Sequence, residues 1–140
     1  MKLLGFNFTK INAYKGTEFK SCPASITIEF EEIIKDKIDM IKDSEVLNAT
    51  FTFSVKYSPD EKKAEKNEAE IAFQGNILFA ADKDESKEIL KEWKKKELSA
   101  SFKIPLFNLI LKRCSTKALN LEEELSLPYH MPLPKISMKK

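Results

Sequence analysis

Glycine, histidine, cysteine and arginine are all scarce in this chain of 140 residues, and each scarcity excludes something. The three glycines, Gly5, Gly16 and Gly75, stand far apart, so there is no Gly-rich loop to cradle a phosphate. The one histidine, His130, lies among proline-flanked hydrophobes and reads as a packing or surface residue rather than a base. Cys22 and Cys114 are too few for a disulfide framework. They share no metal-ligand spacing with each other or with His130, so two reduced thiols are expected. Arg113 is the only arginine among 24 basic residues. Bidentate reading of phosphate or guanine favours arginine, and a net charge of +2 adds no polyanion signal, so nucleic acid is not an expected partner.

Long apolar runs are missing too. The most apolar stretch, residues 104–111, is closed by Lys112 and Arg113, well short of the ~20 residues of a membrane span. The first eight residues are broken by Gly5 and Asn7 and do not read as a signal peptide. A cytoplasmic protein without membrane insertion is the expectation. Catalysis is not expected either. Glu122, Glu123 and Glu124 point in different directions on a helix and read as its solvated end, and Cys114 has only His130 to serve as a base. No enzyme, cofactor or metal site is therefore expected.

What is present is alternation. Leu4, Phe6 and Phe8 mark a strand with one apolar face, and Ile11 and Ala13 continue it out of phase, which predicts a bulge near Lys10. Ile26, Ile28 and Phe30 mark a second strand, whose phase slips at Ile33 and Ile34; Ile38 and Met40 extend it. Leu47, Ala49, Phe51, Phe53, Val55 and Tyr57 form the most regular alternation, and Pro59 ends it. After a charged loop at residues 60–67, Ala69, Ile71, Phe73, Ile77 and Phe79 mark a fourth strand, with Gly75 as a bulge or close-packing site. The last two strands form a hairpin around residues 58–68. Connections are too short for helical crossovers, which predicts a four-stranded antiparallel meander.

Two helices follow. Asp82 to Glu85 has a capping-box pattern, and Ile89, Leu90 and Trp93 supply a narrow apolar stripe. Lys94, Lys95 and Lys96 read as a solvated face. The longer helix starts at Ser101, with Pro105 in its first turn, and Pro128 stops it. Phe102, Leu106, Leu109, Ile110, Cys114, Ala118, Leu121 and Leu125 recur at helical spacing. The fold class is α+β: one domain over residues 1–140, with the long C-terminal helix packed on one sheet face.

This architecture leaves apolar surface over. Four strands at ~4.8 Å make a sheet about 19 Å wide. A helix is about 10–12 Å across, so it covers roughly half of that face. Leu4, Phe6, Phe8, Ile28, Phe30 and Phe73 are the candidates for open surface on the strands. Leu127, Tyr129 and Met131 are the candidates on the arm after the helix. Phe107, Ile110 and Leu111 are candidates for contact between subunits. A large contiguous apolar patch must meet another subunit or a client.

The order of elements, with Ile104, Pro105, Asn108, Ile110, Leu111, Arg113 and Cys114 near the start of the long helix and Leu127, Pro128, Pro132, Leu133 and Pro134 after it, resembles the SecB family of export chaperones and its archaeal and toxin–antitoxin-associated relatives. The resemblance covers residues 3–136 by element order and residues 104–134 by motif. It implies a homo-oligomer, a dimer of dimers, that holds unfolded client polypeptides without ATP. It also implies that the polar sheet face with Glu29, Glu31 and Glu70 is similar to the face by which bacterial members dock a translocation motor. The family's second C-terminal helix is not expected here, because the chain ends soon after Pro134. Two other readings stand beside this one: a dedicated module binding one partner, such as a toxin–antitoxin component, and a binder of a small apolar ligand in a closed cavity.

Overall fold

The computed structural model describes residues 1–36, 44–59 and 68–138. Strands β1 (Lys2–Lys15), β2 (Ala24–Lys35), β3 (Ser44–Tyr57) and β4 (Ala69–Asp82) precede helices α1 (Lys83–Lys94) and α2 (Ala100–Glu124). The α+β class, the wholly antiparallel sheet and the order of short helix before long helix agree with the expectation. The expected extension of β2 through Ile38 and Met40 and the charged loop at 60–67 lie outside the described residues.

The strand order corrects one expectation. The sheet runs β1-β4-β3-β2, so only β2, β3 and β4 form a meander, and β1 lies beside β4 in a Greek-key arrangement. The connection after β1 crosses the end of the sheet instead of turning back. The Gly16 N–H donates to the Glu68 carbonyl, the Lys20 N–H to the Glu68 carboxylate, and the Ser58 N–H to the Pro23 carbonyl. The arrangement has a physical logic. β3 and β4 are apolar at every inward position and need cover on both sides, whereas β1 and β2 are interrupted by polar residues and bulges and take the edges.

Two of the three bulges fall close to where the phase breaks predict them; the one at Leu4 was not expected. On β1, register shifts between Leu3 and Gly5 and between Phe8 and Lys10 leave Leu4 and Thr9 as extra residues. On β2 the shift lies between Phe30 and Glu32. Each extra residue flips the alternation, so Leu3, Phe6, Phe8, Ile11 and Ala13 share the inward face of β1. Leu4, expected on that face, occupies the bulge. Gly75 keeps its register with β3, lies opposite the bulge of β1 at Thr9, and is a close-packing site. A Cβ there would collide with the Asn7 carbonyl oxygen and lie 2.8 Å from the Phe51 ring.

The core lies between the two central strands and the helices. Phe51, Phe53, Val55, Ile71, Ile77 and Phe79 are fully buried, with Ile89 of α1 and Phe102, Leu106, Ile110, Cys114 and Ala118 of α2 against them. The Asp82 carboxylate caps α1 by accepting the Glu85 N–H at 2.7 Å. Helix α2 begins at Ala100, one residue earlier than expected, which moves Pro105 into its second turn. The carbonyl that Pro105 leaves unbonded belongs to exposed Ser101, where water can serve it.

Candidate functional site

The inward residues of α2 recur every four positions from Phe102 to Ala118, and this stripe lies over the middle of the sheet. The consequence is a gradient of cover. On β3 and β4 the inward side chains from Leu47 to Tyr57 and from Ala69 to Phe79 are 2% exposed at most. On the edges, inward Leu3 is 44%, Ile11 48% and Ile26 42% exposed. The helix is narrower than the sheet, and both outer strands keep an apolar row half open.

The opening beside β2 is the better formed. Ile28 and Phe30 face Phe107 and Trp93 across a groove of about 460 Å³, and the Phe30 and Phe107 rings stand 5.1 Å apart. Further along the same strand, Ile26 faces Leu111, Leu119 and Met131 across a second groove of about 470 Å³. The two openings follow one seam between edge strand and helix. Among the described residues β2 is bonded on one side only, to β3, so its other edge presents backbone donors and acceptors beside the seam. Beside β1 the opening is lidded. The Arg113 guanidinium lies 5.7 Å from the Phe6 ring centre and the Lys117 ammonium 5.5 Å from that of Phe8.

The structure sorts the expected residues into three groups. Ile28, Phe30 and Met131 line the seam, together with Phe107 and Leu111, which were expected at a subunit contact. Phe6 and Phe8 are half-buried under their cations, Leu4 is exposed in its bulge, and Tyr129 is exposed on the arm. Phe73, Leu127 and Ile110 correct the expectation, because they are core. Phe73 packs between Phe8 and Phe53, Leu127 follows the helix into the interior, and Ile110 belongs to the stripe facing the sheet. On the outer sheet face, Glu29 and Glu70 lie opposite Thr52 and Lys56, and Thr52 donates a 3.5 Å hydrogen bond to Glu31.

One constellation was not foreseen. The Glu122 and His130 side chains are wholly buried, and the carboxylate accepts from the His130 ring Nδ1 at 2.7 Å and from its backbone N–H at 3.0 Å. Beside them the Tyr57 hydroxyl donates to the Pro128 carbonyl. Burial, and then the Glu122 carboxylate, hold the Tyr57 phenol above its usual range. These bonds fasten the arm to the end of the sheet and set Met131 at the seam. The spacing of four that runs from Phe102 through Ala118 reaches Glu122 next, so the signal lay in the helix phase; Glu123 and Glu124 are the solvated end. His130 Nδ1 is committed to Glu122, and burial pushes the Cys114 thiol up to about 12. Neither arrangement is that of a nucleophile with its base. Among the described residues, no three or more of His, Cys, Asp and Glu gather as metal ligands, and no helix is long and apolar enough to cross a membrane.

Fold and site together define an α+β protein whose single long helix leaves apolar seams open beside the edge strands. No protein-family model and no curated protein sequence matches the chain. Among solved structures it is similar to a SecB-like chaperone of Mycobacterium tuberculosis, Rv1957, in complex with a ChAD peptide from the Rv1956 HigA1 antitoxin. The two share 12% identity over 99% of this chain and 92% of that one, with a TM-score of 0.45.

Proposed function

We propose that this protein is an ATP-independent holdase, SecB-like in kind, that binds unfolded or extended polypeptide along the seam between β2 and α2. The observation that carries the reading is the pairing of an open apolar row with an unbonded strand edge. A segment laid beside β2 can add as a strand while its alternate side chains enter the grooves. Burial of each large apolar side chain contributes about 1.5–3 kcal/mol, so a few anchors support micromolar binding. The function needs no catalytic group. In this reading copies associate as a dimer of dimers in the cytoplasm. A translocation motor or a toxin–antitoxin partner then receives or supplies the client, and export is one destination.

The test mixes the purified protein with a slowly refolding client in the absence of ATP. Refolding or aggregation is delayed at stoichiometric ratios, and Leu111→Asp, a change at a partly exposed seam residue, weakens client binding about tenfold with folding intact. Light scattering reads the assembly against a chain mass of 16.1 kDa. Unchanged client kinetics at stoichiometric protein sink the holdase reading. Tight binding to one folded partner with indifference to unfolded chains favours the dedicated interaction module in its place.

A further inference from the structure

The charges on the helix wall of the seam are lopsided; the carboxylates of the strand wall, Glu29, Glu31 and Glu32, take the outer face of β2. From Ala100 to Leu121, α2 carries Lys103, Lys112, Arg113 and Lys117 and no carboxylate, in a chain whose overall balance is only +2. Lys112 borders the groove at Ile26, and Lys96 and Lys103 border the groove at Phe30. Glu29 is the single carboxylate lining either one. The ion pairs among the described residues join Met1 to Glu85 and Lys35 to Glu45, so none of these lysines is paired with a described carboxylate. The two beside the groove at Phe30 rest on aromatic rings instead. The Lys96 ammonium lies 3.6 Å from the Trp93 ring centre and that of Lys103 5.3 Å from Phe107. Such a contact is weak at an exposed site and gives way readily when an apolar side chain takes the ring.

We infer that the seam selects extended segments that carry carboxylates among their apolar anchors; the inference rests on the seam being a polypeptide-binding site. An arriving anchor displaces a lysine from its ring, and a carboxylate beside that anchor receives the freed ammonium. A basic residue in the same place meets uncompensated like charge. The helix also sets a spacing. Lys103 and Lys112 are nine residues apart on α2, about 13.5 Å along its axis. An extended chain spans that distance in roughly four residues. The preferred client therefore carries acidic residues at positions i and i+4 with apolar anchors between and beside them.

The experiment uses the full chain and three fluorescein-labelled peptides with the same apolar anchors, bearing Glu, Gln or Lys at i and i+4, followed by fluorescence anisotropy. The Glu peptide binds at least tenfold more tightly than the Lys peptide, with the Gln peptide between them, and the advantage shrinks as salt rises. The double variant Lys103→Glu with Lys112→Glu reverses the order. Both lysines are exposed, and circular dichroism verifies that the variant folds. Equal binding of all three peptides at every salt concentration overturns the charge selection and leaves the polypeptide site standing. Failure of all three to bind sinks both.

Discussion

Glu122 and His130 show how one buried polar pair holds a segment that otherwise has little to anchor it. The arm beyond α2 is mostly exposed, and it is attached through the Glu122 carboxylate, the Tyr57 hydroxyl, the burial of Leu127 and, at its start, the Lys15 ammonium on the Leu125 and Ser126 carbonyls. Removing one partner of a buried hydrogen-bonded pair leaves the other's polar atoms without a partner. We expect Glu122→Ala to cost about 1–3 kcal/mol in urea unfolding. Replacing both partners by leucine should recover part of that loss. A single variant as stable as the parent would mean that the pair contributes nothing. Neither residue was legible as a pair in the sequence. A glutamate in a run of three reads as solvent-facing until the helix phase shows which of the three turns inward. The partner lies past the helix terminus, where no periodicity guides the eye. Phe73 and Ile110 were misplaced for the converse reason. Alternation says which face a residue takes, but not whether the middle or the margin of that face is covered.

At the scale of elements, the strands were legible almost to their irregularities. The phase breaks at Lys10 and Ile33 correspond to the shifts at Phe8/Lys10 and Phe30/Glu32, because one inserted residue must invert every side chain beyond it. Which strands become neighbours was not legible. β1 joins β4 through contacts at Glu68 that are distant in sequence from β1, and local pattern carries no record of them. The long helix holds its own test. Pro105 withholds the N–H that would donate to the Ser101 carbonyl within the second turn. Pro105→Ala restores that donor and should stabilise the protein by about 1–3 kcal/mol, read as a higher urea midpoint. Unchanged or lower stability would show that the ring of Pro105 serves a purpose the hydrogen bond does not replace.

For the whole molecule, the buried Cys114 and Tyr57 link stability to alkaline pH. Cys114 has an ordinary value of 9.0 and is held at about 12 when folded; Tyr57 is likewise raised. Both groups stay protonated in the folded protein while the unfolded chain ionises. Their contribution is complete below the unfolded values and is lost as pH climbs toward the folded ones. Between about pH 9 and pH 11 stability should fall by up to about 1.4 kcal/mol per unit for each such group. Urea midpoints across that range check it, and Cys114→Ala should flatten the slope. A level profile in the parent would contradict the burial of both groups. The sequence by itself determined the α+β class, the four strands with two of their three bulges, the two helices and the shortage of helix to cover the sheet. Each of these follows from local periodicity and from the widths of a strand and a helix. Only the tertiary structure decided that β3 and β4 take the centre, that the open rows lie at β1 and β2, and that Glu122 closes on His130. Those outcomes depend on which distant surfaces meet, and a chain expresses that only once its parts compete for the same core.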